Sequence, residues 1–329
     1  MSSKPLISFG LLTDIQYADY DNTLNYRKDK PRYYRNSLNL VKEAAHSWHS
    51  NIKYDNFQFI IQLGDIIDCK AVEYREKALT AVLKEMKSDF ETNIQNFRIY
   101  HIWGNHEFYN YSREHLLQTE LNSAALLNPE VSNKANYYRI DVTDDFKIIC
   151  LDIFEFSVIG YKNKDSEVYK NALKTIRAFN KNENINSAKD LSGLNKRMTA
   201  INGAPSKEQM IWLESQLEEL TSKNKKAIVC GHTPIHPKSG INACLAWNFN
   251  ELLDLFFKYK NTILAYLCGH DHDGGYYLGK SSKIHYITVP SIVEAPPNVN
   301  SFAKVKVFND KIIIEGVGLM QNYEIPFSK

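Results

Sequence analysis

Cysteine is scarce in this chain, five in 329 residues, and its placement argues against a disulfide framework. Cys69, Cys150, Cys230, Cys244 and Cys268 are odd in number, form no C-x-x-C pair, and several fall inside apolar runs. Buried free thiols in a reducing compartment are the expectation. A surplus of either charge is also missing. The 40 Lys and Arg stand against 38 Asp and Glu, a formal net charge of +2. That balance excludes the basic footprint of a dedicated nucleic-acid binder. No apolar stretch reaches the length needed to span a bilayer. The start, Met1-Ser2-Ser3-Lys4-Pro5, leads straight into a strand-like run and lacks a signal-peptide core. No internal repeat is visible. These absences together predict a soluble, cytoplasmic protein, expected to be a monomer, with no membrane, nucleic-acid or protein partner implied.

What is present is ordinary for a globular enzyme: 43% apolar and 24% charged residues. Such a length holds one large domain or two small ones and buries a substantial core. Strand-like runs cover 6–12, 57–63, 98–103, 137–142, 147–153, 227–230, 262–268, 284–289, 303–308 and 311–317. Many are near-continuous in Ile, Leu, Val, Phe and Tyr, as strands covered on both faces require. Helical patterns cover 32–50, 72–90, 166–180, 207–221 and 249–259. Ser206 reads as the N-cap of the fourth, with Gln209 at its third helical position. Alternating strands and helices predict an α/β chain, with hairpins at the end. Two sheets face to face with helices outside would bury such strands. The stretch 180–204 is irregular, rich in Asn, Lys and Ser. It reads as a solvated loop, or as a lid beside an active site.

Five short blocks sit where apolar runs stop: Asp14-Ile15-Gln16, Gly64-Asp65-Ile66-Ile67-Asp68, Gly104-Asn105-His106-Glu107, Gly231-His232 and Gly269-His270-Asp271-His272. Each falls at the carboxyl end of a strand, where α/β sheets collect ligands. They gather carboxylates, amides and imidazoles, the ligand set of two adjacent divalent metals with one carboxylate bridging them. One G-D alone is a turn, and one Gly-His pair alone is structural. Their joint occurrence is what points to metal. Asp14 and Gln16 are two apart, so on an extended backbone both side chains project from one face, and His270 and His272 share that spacing. Asp68 follows Asp65 by three, about one turn if a helix begins there. Asn105 and His106 are adjacent, so one can face metal while the other faces substrate. Of the other histidines, only His236 reads as a loop residue that could lie near the site.

The order D-x-[H/Q], G-D-x-x-D, G-N-H-E, G-H, G-H-x-H resembles the calcineurin-like metallophosphoesterase superfamily, from Asp14 to His272. The resemblance implies an α/β, four-layer αββα sandwich of two mixed β-sheets flanked by helices. It implies one metal held by Asp14, Gln16, Asp65 and His272, and another held by Asp65, Asn105, His232 and His270. Asp65 is then the bridging carboxylate. His106 would protonate or stabilise the leaving phosphate, with Asp68 orienting its imidazole. Gln16 departs from the pattern, standing where most of the superfamily has His. A neutral amide oxygen is a harder donor, which favours Mn2+ or Mg2+ over Zn2+ or Fe there.

Further strings narrow the likeness. D-I-Q-Y-A-D, Arg32-Tyr33-Tyr34-Arg35, G-N-H-E-F-Y-N, Cys244-Leu245-Ala246-Trp247-Asn248 and G-H-D-H-D-G-G-Y resemble the manganese-dependent ADP-ribose/CDP-alcohol diphosphatases. That family likeness implies one domain over residues 1–329, with a loop-rich insertion at about 160–205 that could cover the active site. It implies hydrolysis of ADP-ribose to AMP and ribose 5-phosphate, and of CDP-choline to CMP and phosphocholine. Tyr26, Arg32, Leu194, Pro205 and Cys244 match its substrate positions. The alternatives are a cyclic-nucleotide phosphodiesterase or phosphomonoesterase on the same metal core and, more remotely, a non-catalytic scaffold of that fold.

Overall fold

The apolar runs become two six-stranded sheets in the computed structural model, which describes residues 4–50, 52–90, 94 and 97–327. Residues 1–3, part of the chain start read above, lie outside the described residues. The first sheet runs, edge to edge, Tyr323–Pro326, Lys311–Gly318, Ser301–Val307, Ile7–Leu12, Phe57–Gln62 and Arg98–His101. The last three are mutually parallel and the others antiparallel. The second runs Gly275–Leu278, His285–Thr288, Ile263–Cys268, Lys226–Cys230, Phe146–Cys150 and Tyr138–Asp141, with parallel pairing through its middle. Both sheets are therefore mixed, as expected.

Alternation along the strands decides what meets what. Phe9, Leu11 and Ile61 of the first sheet share one buried cluster with Ile148, Ile228 and Leu267 of the second. The opposite faces carry Leu12, Ile60, Val229 and Tyr266 into a cluster with the helices. Helix Tyr34–His49 shows how closely the layers pack: Trp48 is fully buried and donates Nε1–H to the Ala303 carbonyl at 3.0 Å. A Cβ at Gly10 would lie 2.9 Å from its ring, so the indole reaches the sheet only over glycine. Burying an aromatic of this size stabilises the layer by about 2–3 kcal/mol.

Helix boundaries follow local chemistry. Ser166 and Ser206 cap helices Glu167–Phe179 and Lys207–Ser222, each accepting from a backbone N–H three residues on. Gln209 does not complete a capping box. Its amide reaches the Asp152 backbone and the Glu155 carboxylate instead. The helix expected over 72–90 is in fact a 3-10 turn, Cys69–Tyr74, followed by a helix over Arg75–Lys87. The break falls at Tyr74, whose φ of −136° is not helical. Edge strands Gly275–Leu278 and Tyr323–Pro326 had no clear signal, because each leaves alternate residues exposed and carries no continuous apolar run. All five cysteines are free; four are buried, while Cys69 is exposed. Among the described residues no helix is long and apolar enough to cross a membrane.

Candidate metal centre

Five parallel strand ends, three from one sheet and two from the other, deliver the five blocks to one place. The delivery does not use extended backbone. Asp14, Gln16, Asp65 and His270 have φ of 48°, 42°, 60° and 67°, in the left-handed region. Asp14 and Gln16 meet at 3.5 Å, and His270 and His272 line one cavity, but left-handed turns rather than extended backbone put them there. A left-handed residue turns the chain sharply enough to aim neighbouring side chains inward, at a steric cost typical of functional sites. Glycine supplies the remaining room. A Cβ at Gly104 would collide with the Asp65 carboxylate, and one at Gly64 with the His232 ring.

Two ligand sets converge. In the first, Gln16 Nε2 lies 3.1 Å from Asp65 Oδ2, 3.0 Å from His272 Nε2 and 3.5 Å from Asp14 Oδ1. Gln16 Oε1 is buried without a partner. Half a turn of the amide exchanges its two ends, bringing an oxygen among the same three atoms. In the second, Asp65, His232 and His270 each offer an atom, all within 4.8 Å of one another. Asp65 belongs to both. Asn105 Oδ1 and His232 Nε2 are also buried without hydrogen-bond partners. Buried polar atoms are normally satisfied, so this concentration of orphans is what a cation site leaves when only protein is counted. Oxygen and imidazole donors of this kind fit two divalent ions.

The outward nitrogens of the three histidines are held by acceptors. His232 Nδ1 lies 2.8 Å from the Leu63 carbonyl, His270 Nε2 2.9 Å from Asn202 Oδ1, and His272 Nδ1 2.7 Å from Glu294 Oε1. Each acceptor favours a proton on the outer nitrogen and a lone pair on the inner one, the arrangement metal-binding imidazoles need. Electrostatics agree. Burial opposes charge throughout, yet Asp65 is held well below the usual carboxylate range by the surrounding imidazoles. Burial would lower His232 and His272, but Asp65 raises the first to about 9, and Asp14 with Glu294 raises the second to about 9. The field of the site therefore favours positive charge.

His106 stands beside this core. Its Nε2 is 4.0 Å from Asp65 Oδ2, while Nδ1 is 3.3 Å from Asp68 Oδ2 and receives the Cys69 N–H at 3.3 Å. The neutral ring can accept from Cys69, and the imidazolium can donate to Asp68. Asp68 is itself fixed, since its Oδ1 caps the 3-10 turn through Lys70 N at 2.9 Å. Arg32 spans the cavity floor between Glu294, at 3.3 Å, and Asp68, at 3.9 Å.

A cavity of about 510 Å³ opens above the centre, within the usual range for small-molecule sites. Gln16, Asp65, Asn105, His106, His270 and His272 line it, together with Tyr26, Arg32 and Cys244. Asp14, Asp68 and His232 lie just behind that lining, in contact with it. Tyr26 is 69% exposed, placed as a ring at the mouth. Leu194 and Pro205 are not brought in: Leu194 is exposed on the turn Gly193–Arg197, and Pro205 lines a separate cavity. His236 is also elsewhere, stacked on Tyr277 at 4.2 Å. Asn186–Lys189 of the irregular stretch do line the cavity. Sequence reasoning missed Glu294, Asn202 and Glu107. Only Glu107 carried a signal, as the last letter of G-N-H-E; the other two stand outside every block.

The calcineurin-like phosphoesterase profile matches residues 7–274, which spans all five blocks. The manganese-dependent ADP-ribose/CDP-alcohol diphosphatase of Mus musculus is 34% identical, over 96% of this chain and 92% of that protein. The protein of the same name from Arabidopsis thaliana is 33% identical, over 97% and 96%. A crystal structure described as a dimetal phosphatase from Danio rerio superposes with a TM-score of 0.91 at 31% identity, covering 99% of this chain and all of that one. Its agreement extends to both sheets and the flanking helices, so the sandwich expected from the motifs is the sandwich observed. With motifs, fold and full-length relatives in accord, this chain belongs to the calcineurin-like phosphoesterase family.

Proposed function

We propose that this chain is a manganese-dependent hydrolase that cleaves the diphosphate bond of ADP-ribose, giving AMP and ribose 5-phosphate. CDP-alcohols such as CDP-choline are cleaved likewise, to CMP and phosphocholine. The relatives carrying that name align over nearly the whole chain, and the cavity is of a size for a nucleoside diphosphate. The observation that carries the reading is the set of buried, unpartnered donors on Gln16, Asn105 and His232 around one shared carboxylate. Asp14, Gln16, Asp65 and His272 hold one ion, and Asp65, Asn105, His232 and His270 the other. When bound, the ions supply charge neutralisation at the phosphate and an activated water.

The chain's own residues do the rest. His106 faces the reacting phosphate as an imidazolium and gives its Nε2 proton, or its charge, to the departing phosphate oxygen. Asp68 stabilises that charged form through Nδ1. Tyr26 offers a face on which a base can stack, worth about 1–3 kcal/mol. Arg32 is already engaged by Glu294 and Asp68, so it organises the floor as well as meeting phosphate. Lys189 adds a cation on the facing wall, and among the described residues it has no carboxylate partner. The 160–205 insertion is accordingly part of the catalytic domain and forms one side of its substrate cavity. Free cysteines fit a reducing, cytoplasmic setting, and the protein acts as a monomer on a small molecule.

The test is a hydrolysis screen of ADP-ribose, CDP-choline, CDP-glycerol, nucleotide sugars and cyclic nucleotides, with Mn2+ and Mg2+ compared. Mn2+-stimulated AMP release from ADP-ribose is expected. Turnover of cyclic nucleotides alone would overturn the substrate assignment, and no turnover of any substrate would overturn the enzyme.

A further inference from the structure

Asn202 sits in the irregular stretch that borders the cavity, and it is completely buried. Its amide has one possible orientation. Nδ2 donates to the Arg197 carbonyl at 2.8 Å and to the Ala243 carbonyl at 2.7 Å. Flipping the amide would set an oxygen against two carbonyl oxygens and take from the Ala243 carbonyl its donor. Oδ1 must therefore be the atom that meets His270 Nε2 at 2.9 Å. An oxygen there requires a proton on Nε2, and the lone pair of a neutral ring is then on Nδ1.

We infer that Asn202 is a positioning residue for one of the two ions: it selects the Nε2–H tautomer of His270 and so presents Nδ1 to the ion shared with Asp65 and His232. This rests on the ligand set proposed above. It also joins the cavity wall to the metal centre. The backbone around Asn202 is tied to the Asn186–Lys189 wall by two further asparagines. Asn180 Nδ2 donates to Ser187 O at 3.1 Å and to Met198 O at 2.9 Å, while Asn182 Nδ2 donates to Lys189 O at 2.6 Å. Arg197 Nε donates to the Trp247 carbonyl at 2.8 Å, anchoring the other end on the body of the fold. Ligand geometry and wall geometry are thus set by one hydrogen-bonded unit. Other imidazoles of the centre draw their acceptor from a backbone carbonyl or a carboxylate. His270 alone among the three depends on a neutral amide from the irregular stretch.

The experiment counts and titrates Mn2+ by electron paramagnetic resonance on the full chain and on Asn202→Leu and Asn202→Asp. Wild type is expected to bind two ions. Asn202→Leu, matched in size but without an acceptor, should keep one ion at wild-type affinity and bind the other about 10–100-fold more weakly. Asn202→Asp restores the acceptor to His270 but sets its second oxygen against the Arg197 and Ala243 carbonyls, so its affinity should fall between those of wild type and Asn202→Leu. Equal affinity of both ions in a folded Asn202→Leu chain would overturn the inference. Should that variant not fold, nitrogen-15 spectra of histidine-labelled, Mg2+-loaded wild type decide alone. An Nε2–H tautomer at His270 supports the inference, and an Nδ1–H tautomer overturns it. Neither readout uses substrate, so two-ion binding without ADP-ribose hydrolysis would remove the proposed substrate and leave Asn202 in place. A wild type that binds fewer than two ions would overturn both.

Discussion

Asp65 is the residue at which the two ligand sets meet, with Oδ2 within 3.1 Å of Gln16 and 3.4 Å of His232. Removing a shared carboxylate takes one donor from each ion and leaves facing imidazoles with no counter-charge. Asp65→Ala is expected to lose both bound Mn2+ and turnover. His106→Ala is expected to bind two ions as wild type does and to lose about 10²–10⁴-fold in kcat, the usual worth of a positioned proton donor. Paired metal titrations and steady-state kinetics check this. Full activity in Asp65→Ala would end the bridging assignment, and loss of metal in His106→Ala would move His106 into the ligand set. Gln16 matters at this scale for a different reason. An amide in the proposed ligand position brings no charge, so the first ion would rely on Asp14 and Asp65, while Glu294 orients His272.

Short elements carry the site more than long ones do. Helix Asn105–Asn110 has only six residues, yet it presents both Asn105 and His106. It is held by Glu107, whose carboxylate accepts from the backbone N–H groups of Asp65 at 2.8 Å, Ile66 at 2.7 Å and Gly104 at 2.6 Å. One side chain thereby joins the second and third blocks. Burial, and then repulsion from Asp65, raise its pKa to about 7 against those three donors. Glu107→Ala would leave three buried N–H groups unpaired, each costing about 1–3 kcal/mol. Urea denaturation of the metal-free variant is expected to show a loss of at least about 3 kcal/mol with an unchanged m-value. A loss under about 1 kcal/mol would show that water replaces the carboxylate there.

Long strands and helices were legible from apolar periodicity, because burial on both faces writes a continuous run into the sequence. The helix at 105–110 was not, since capping by its own third residue and contact with Asp65 make it, with no periodic face. Two of the four edge strands of the large sheets, Gly275–Leu278 and Tyr323–Pro326, were illegible for a related reason, whereas those at Arg98–His101 and Tyr138–Asp141 fell within expected runs. A strand with one neighbour and little burial needs no particular pattern.

Metal binding is expected to couple to the fold across the whole molecule, because the proposed ligands come from both sheets. Asp14, Asp65 and Asn105 follow strands of one, and His232 and His270 follow strands of the other. Ions bound there would tie the two sheets at the carboxyl ends of these strands. Each ion at a hundred times its dissociation constant adds about 2.7 kcal/mol to the native state. Chelation is therefore expected to lower Tm by several degrees, with recovery on adding Mn2+, as read by scanning calorimetry. An unchanged Tm after complete metal removal would mean that the ions bind without linking to stability.

The donor types of the proposed metal centre were legible in the sequence by itself. Metals demand particular donor types, and those letters appear in order at five strand ends. The sandwich was implied by the same resemblance and by the strands' two-sided apolarity. Tertiary structure decided what lies one layer further out. Left-handed turns at Asp14, Gln16, Asp65 and His270 aim the ligands, where extended spacing had been the expected cause. Glu294 and Asn202, far from every block in sequence, orient His272 and His270. Leu194 and Pro205 fall outside the cavity that Asn186–Lys189 help to enclose. The physical reason is the difference between identity and direction. A donor's element can be read from its side chain, whereas its orientation is set by hydrogen bonds to residues that share no motif with it.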